Sequence, residues 1–138
     1  MKAGTNTVSL LLDVGRIIRT RMERELPLSF SQCETLRLLE QGKNTTMHAI
    51  AAHFKIAAPS ATAIVNELVR AHLVARAENA KDRREVLLHL TRNGKKLLHS
   101  VETKRKKVVA GVLSILPERD KKQLDAILGK ILSGAETR

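Results

Sequence analysis

The feature that most constrains this chain is a change of hydrophobic period partway along it. Up to residue 70 the apolar side chains recur at steps of three and four, the spacing of one helix face. At Val86, Leu88 and Leu90 they alternate with Leu87 and His89, the spacing of a strand, and from Leu97 onward the helical spacing returns. Leu73-Val74-Ala75-Arg76 is a second short extended run, and the polar, turn-prone segment 77–85 separates the two.

The helices follow from stripes and stops. Leu11, Gly15, Ile18, Met22 and Leu26 predict a helix over 6–26 that Pro27 ends. Ser31 as N-cap with Glu34 three residues on predicts a second, running through Leu36 and Leu39 to Gly42. Thr45 or Thr46 is placed to cap a third, with Met47, Ile50, Ala51 and Phe54 on one face. Pro59 suits the first turn of a fourth, whose buried face is Ala61, Ile64, Val65 and Leu68. After the hairpin, Thr91 or Asn93 caps a long helix over 93–115, Pro117 breaks it, and Leu124, Ile127, Leu128, Ile131 and Leu132 mark a last one. Only Lys55-Ile56-Ala57-Ala58 joins the third and fourth helices, and a basic hairpin follows at once, which is the arrangement of a winged helix-turn-helix. The expected fold is mainly α (α+β), a single domain over 1–138. Its DNA-binding lobe is expected over 31–93, and the apolar ends, 1–30 and 94–138, form a helical dimerisation region.

Charge points to the partner. The formal net charge is +11 and the pI about 10.4. Residues 53–107 carry 13 basic and 5 acidic side chains, while the two flanks are nearly neutral. A basic middle favours a polyanion, most often nucleic acid. With no Trp or Tyr and only Phe30 and Phe54, the chain has almost nothing to stack on unpaired bases, so double-stranded DNA is the expected partner. In the fourth helix Ser60, Thr62 and Asn66 lie off the apolar face. Ser and Thr hydroxyls reach phosphates or bases, and Asn pairs bidentately with adenine. Lys55, Arg70 and Lys81 are placed for phosphates at the turn, the helix end and the hairpin. Arg83 and Arg84 at the hairpin tip suit a narrow minor groove. Asp82 beside them is expected to fix an arginine side chain by a charge-assisted hydrogen bond.

Asp82-Arg83-Arg84, then Val86-Leu87-Leu88-His89-Leu90-Thr91 and Gly94, resembles the wing signature of MarR-family transcriptional regulators. Leu28-Ser29-Phe30-Ser31-Gln32 with Leu36 and Leu39, Ile50-Ala51, Ser60, Thr62, Val65 and Leu68, and Leu73-Val74 with Arg76 are similar to the same family, so the resemblance spans nearly the whole chain. It implies a homodimer on a pseudo-palindromic operator, the fourth helix in the major groove, Arg84 in the minor groove and Asp82 holding the wing. Two positions depart from the pattern. Glu67 stands where a basic or neutral residue is usual, and a carboxylate near phosphates costs affinity; His72 stands where glycine is usual.

The expected function is sequence-specific DNA binding by a ligand-responsive repressor, switched by a small-molecule effector of unknown identity wedged between the dimer helices and the DNA-binding lobe. The alternatives are a nucleoid-associated architectural protein that binds without base readout, and a dimeric protein-interaction module that has lost DNA binding. Val8, Leu11, Leu12, Leu124, Ile127, Leu128 and Ile131 are the dimer-interface candidates. No nucleophile motif, phosphate-cradling glycine loop or catalytic carboxylate pair is present, so no enzymatic activity is expected. No cofactor is expected either. His48 and His53 are five apart, not the spacing that puts two ligands on one helix face, and no metal site is expected. Cys33 reads as a buried inert thiol. The apolar runs are too short for a membrane span, and no signal-peptide-like run precedes Asp13, which points to the cytoplasm.

Overall fold

The computed structural model describes residues 3–42 and 45–137; Met1, Lys2 and Arg138, at the ends of the expected domain, lie outside it. Helix α1 spans Ala3–Glu25 and α2 Phe30–Gln41; a two-residue strand β1, Thr45–Thr46, leads into α3, Met47–Phe54, and then α4, Ala58–Arg70. Strands β2, Val74–Glu78, and β3, Val86–Leu90, form the hairpin; α5, Arg92–Val112, runs into a single 3₁₀ turn at Leu113–Ile115, and α6 is Glu118–Glu136. This is the winged-helix architecture.

The sequence places most boundaries correctly, with two differences. The N-cap of α2 is Ser29, not Ser31: Ser29 is extended, its Oγ accepts the Gln32 N–H at 3.2 Å, and Gln32 Oε1 accepts the Ser29 N–H at 3.0 Å. The capping box is therefore two residues earlier, and Gln32 rather than Glu34 completes it. Strand β1 was not foreseen. It pairs antiparallel with β3 through Thr45–Leu88 and Thr46–Leu87, giving a three-stranded sheet in the order β1-β3-β2. Two residues are too few to show a period, and Thr46 also serves as the N-cap of α3, its Oγ1 accepting the Ala49 N–H at 3.0 Å.

The core forms where α2, α3 and α4 pack onto the sheet and the start of α5. Leu36, Ile50, Val65, Leu68, Val74 and Leu88 are fully buried there, each contributing about 1.5–3 kcal/mol by leaving water. Among the described residues, every buried side chain lies between Cys33 and Val101. Helix α1 rests on α5 along one side, yet among the described residues neither α1 nor α6 has a buried side chain. Leu12 is 68% exposed and Leu132 65%.

A knot of backbone contacts locks the hairpin to α5. The Thr91 N–H donates to the Leu73 carbonyl at 3.1 Å, and Thr91 Oγ1 donates to the His72 carbonyl at 2.6 Å while accepting the Gly94 N–H at 3.0 Å. His72 itself sits at φ 60, in the left-handed region. A side chain there costs roughly 1–2 kcal/mol, of which the greater unfolded freedom of glycine returns up to about 1 kcal/mol. His72→Gly is expected to stabilise the protein by about 0.5–1 kcal/mol in urea unfolding at fixed protein concentration. A loss of stability instead would show that the imidazole makes contacts worth more than the backbone relief.

Candidate nucleic-acid interface

The turn between α3 and α4 is made by Lys55, left-handed at φ 53, whose N–H caps α3 on the Ala51 and Ala52 carbonyls. The Ile56 N–H then returns to the Ala51 carbonyl at 3.1 Å, and Ala57 opens α4 without a side-chain cap. This short turn fixes α4 across the lobe with Ala61, Val65 and Leu68 inward. Its outward surface carries Ser60, Ala63, Glu67 and Arg70, all exposed, with Thr62 and Asn66 half-buried on one flank. Of the helix residues singled out from sequence, Ser60 and Arg70 are therefore fully presented. Ala63, which the polar reading passed over, stands between them on the same surface; a small apolar side chain there can touch a thymine methyl.

Asn66 is not free for the bidentate adenine contact that its type suggests. Its Oδ1 accepts a hydrogen bond from the guanidinium of Arg76 on β2, which ties the recognition helix to the hairpin. Both amide atoms are needed for adenine, so that contact requires Arg76 to let go.

The wing tip carries Lys81, Asp82, Arg83 and Arg84, all exposed. Asp82 acts differently from the expectation. Its Oδ1 accepts the backbone N–H of Arg84 at 3.0 Å and its carbonyl accepts the Glu85 N–H at 3.1 Å, and among the described residues it pairs with neither guanidinium. An Asp side chain two residues before an N–H closes an Asx turn, so Asp82 shapes the tip rather than aiming a side chain. Asn79 adds to this by accepting the Lys81 N–H at 3.0 Å and donating to Glu85 at 3.2 Å.

Among the described residues, Lys55, Arg70, Lys81, Arg83 and Arg84 make no ion pair with a carboxylate. The ion pairs lie elsewhere: Arg37 bridges Glu34 at 2.8 Å and Glu102 at 3.5 Å, Arg105 meets Glu102 at 2.9 Å, and His53 approaches Glu34 at 3.5 Å. That network edges a cleft of about 600 Å³, enclosed by Ile18 and Met22 of α1, Phe30 and Cys33 of α2, Phe54 of α3 and Arg105 of α5. Burial pushes the Cys33 thiol up, with Arg105 opposing, and a protonated buried thiol is a poor nucleophile. Among the described residues no group of three or more His, Cys, Asp and Glu side chains is placed to hold a metal ion, and no helix is long and apolar enough to cross a membrane.

The interface candidates on the terminal helices are exposed, apart from half-buried Leu124: Val8, Leu11 and Leu12 on α1, and Ile127, Leu128 and Ile131 on α6.

A family model described as MarR family matches residues 26–85. The HTH-type transcriptional repressor MdtR of Bacillus subtilis strain 168 is 31% identical over 107 residues, 78% of this chain and 69% of that protein. The fold is similar to MepR, a transcription regulator of the Staphylococcus aureus multidrug efflux pump MepA, with a TM-score of 0.76 at 21% identity over 98% of this chain and 99% of that one. A single-site MepR mutant from S. aureus, bound to an oligodeoxyribonucleotide, superposes with a TM-score of 0.64 at 23% identity over 98% and 99% of the two chains.

Proposed function

Because the chain belongs to the MarR family and is a DNA-binding transcriptional regulator rather than an enzyme, we propose that it acts as a homodimeric, effector-responsive repressor on a pseudo-palindromic operator. The carrying observation is that α4 and the wing tip stand on one lobe with five cations, Lys55, Arg70, Lys81, Arg83 and Arg84, that no carboxylate among the described residues engages. In a +11 chain, uncommitted cations flanking a protruding helix match the phosphates on either side of a major groove. In this reading residues 31–93 form the DNA-binding lobe, and 1–30 with 94–138 the dimerisation region. Ser60 and Thr62 face bases, Asn66 joins them once Arg76 releases its amide, Lys55, Arg70, Lys81 and Arg83 face phosphates, and Arg84 enters the minor groove from a tip shaped by Asp82. The repressor sense follows the name of MdtR. The oligodeoxyribonucleotide held by the MepR mutant supports DNA as the partner.

A cleft between α1, α2, α3 and α5 supports an effector site. A molecule seated there touches a terminal helix and the DNA-binding lobe together, so its binding shifts one against the other. Two recognition helices must meet major grooves roughly 34 Å apart, and a change in their spacing loses both contacts at once.

Competition binding against the preferred duplex and against random duplex tests the assignment of roles. Arg84→Ala is expected to weaken preferred binding by about 1–3 kcal/mol. Lys55→Ala and Arg70→Ala are expected to weaken both duplexes alike and lower the salt slope by roughly one ion each, whereas Thr62→Ala narrows the gap between the duplexes with its salt slope unchanged. Equal loss on both duplexes for Thr62→Ala would favour the architectural reading instead.

A further inference from the structure

Glu67 is the one acidic side chain on α4, and it lies on the outward surface of that helix. Read from sequence alone it is only a charge that repels phosphate. The structure gives it a partner from another element: Gln32 Nε2 donates to Glu67 Oε2 at 2.6 Å, across 35 residues of chain. The Gln32 amide cannot turn around, because its Oε1 is held by the Ser29 N–H in the capping box of α2. Glu67 therefore has one oxygen anchored from the α2 side. Among the described residues it makes no ion pair, although Arg70 is one turn away on the same exposed surface, and Gln32 engages only one of its two oxygens.

A carboxylate held at the surface of a recognition helix accepts hydrogen bonds and donates none. In the major groove guanine presents N7 and O6 and thymine presents O4, all acceptors, so each repels it. Adenine places an acceptor beside its amino group. Across an A·T pair the N6 amino group lies between two acceptors, adenine N7 and thymine O4, whereas the cytosine N4 amino group of a C·G pair has an acceptor, guanine O6, on one side only. We propose that Glu67 is a specificity-determining residue that accepts a hydrogen bond from a cytosine N4 amino group in the major groove, with Gln32 as the positioning residue that holds the carboxylate in place. This rests on the reading of α4 as the recognition helix. The negative charge lowers affinity for every sequence and lowers it least where cytosine meets it, so specificity arises by penalising the other bases.

The test is selection from a random duplex library, followed by affinity measurement on duplexes changed one base pair at a time. The variants are Glu67→Gln, Glu67→Ala and Gln32→Glu. Gln32→Glu keeps the acceptor that the capping box needs, removes the donor to Glu67 and sets a second carboxylate against it, so it releases the Glu67 side chain from its anchor while α2 stays capped. The parent protein is expected to prefer C·G roughly tenfold or more at one symmetry-related pair of positions. Glu67→Gln moves that preference toward A·T, Glu67→Ala abolishes it, and Gln32→Glu reduces it, each with the other positions unchanged. If Glu67→Gln strengthens binding to every sequence alike and leaves the selected motif intact, Glu67 is only a repelling surface charge and the proposal is overturned. If Gln32→Glu leaves the preference at that position whole while Glu67→Ala removes it, the positioning role of Gln32 is overturned. If the parent selects no motif at all, the failure lies instead with the recognition-helix reading on which the proposal rests.

Discussion

Gly94→Ala is expected to cost roughly 2–3 kcal/mol of folding stability, the upper part of the range for forcing an extra atom into occupied space. In an ordinary helix the same exchange gains about 1 kcal/mol. Here the added Cβ would lie 2.1 Å from the Leu73 carbonyl oxygen and 3.2 Å from Leu90 Cδ2. The oxygen cannot step aside, because it accepts the Thr91 N–H that joins the hairpin to α5. Sterics therefore override propensity, and the loss falls on the junction that holds the wing. Thermal unfolding followed by circular dichroism should show a melting temperature lower by on the order of 10 °C. An unchanged or raised value would mean that the close approach of α5 to Leu73 is not a feature of the folded protein.

The second large effect concerns the terminal helices. Charging the outward faces of α1 and α6 together, with Leu12→Asp and Ile127→Asp, is expected to abolish dimerisation and lower affinity for a two-half-site duplex by at least a hundredfold. The proposed dimer is the premise. Leu12 is 68% exposed and Ile127 50%, their two helices have no buried side chain among the described residues, and apolar stripes of this length stay in water only at a cost. Covering them with a second copy builds an obligate interface, typically more than about 2,000 Å², and obligate dimers often have no stable folded monomer. A dimer also makes the second half-site contact intramolecular, which is where most of the affinity would be lost. Sedimentation at micromolar concentration measures the first effect and titration of a labelled duplex the second. A parent protein that sediments as a folded monomer, or a charged variant that remains a dimer, would remove the premise.

The order of elements was readable because each rests on local chemistry: stripes at helical spacing, Pro27, Pro59 and Pro117 as punctuation, Thr91 as a cap. Local signals also misled where two candidates stood close together. Ser29 and Ser31 both have an acceptor-bearing residue three positions on, and the folded chain closes the box on Gln32 rather than Glu34. The wing residues were legible as a group from their charge. The action of Asp82 was not, because an adjacent arginine offers either a guanidinium or a backbone N–H, and the tight turn favours the latter. The contacts that shape α4 could not be read at all. Gln32 reaches Glu67 and Arg76 reaches Asn66 through the packing of α2 and β2 on α4, and no spacing rule links positions that far apart. The cleft is of the same kind, assembled from four helices.

The central claim is that two copies of one basic lobe read duplex DNA by sequence. Selection of bound duplexes by the unmodified protein at moderate salt tests it most directly. The expected result is an enriched inverted repeat whose half-sites lie about 10–10.5 base pairs apart, centre to centre, bound at least about a thousandfold more tightly than random duplex. Tight binding with no enriched sequence, or no binding even at low salt, would contradict it.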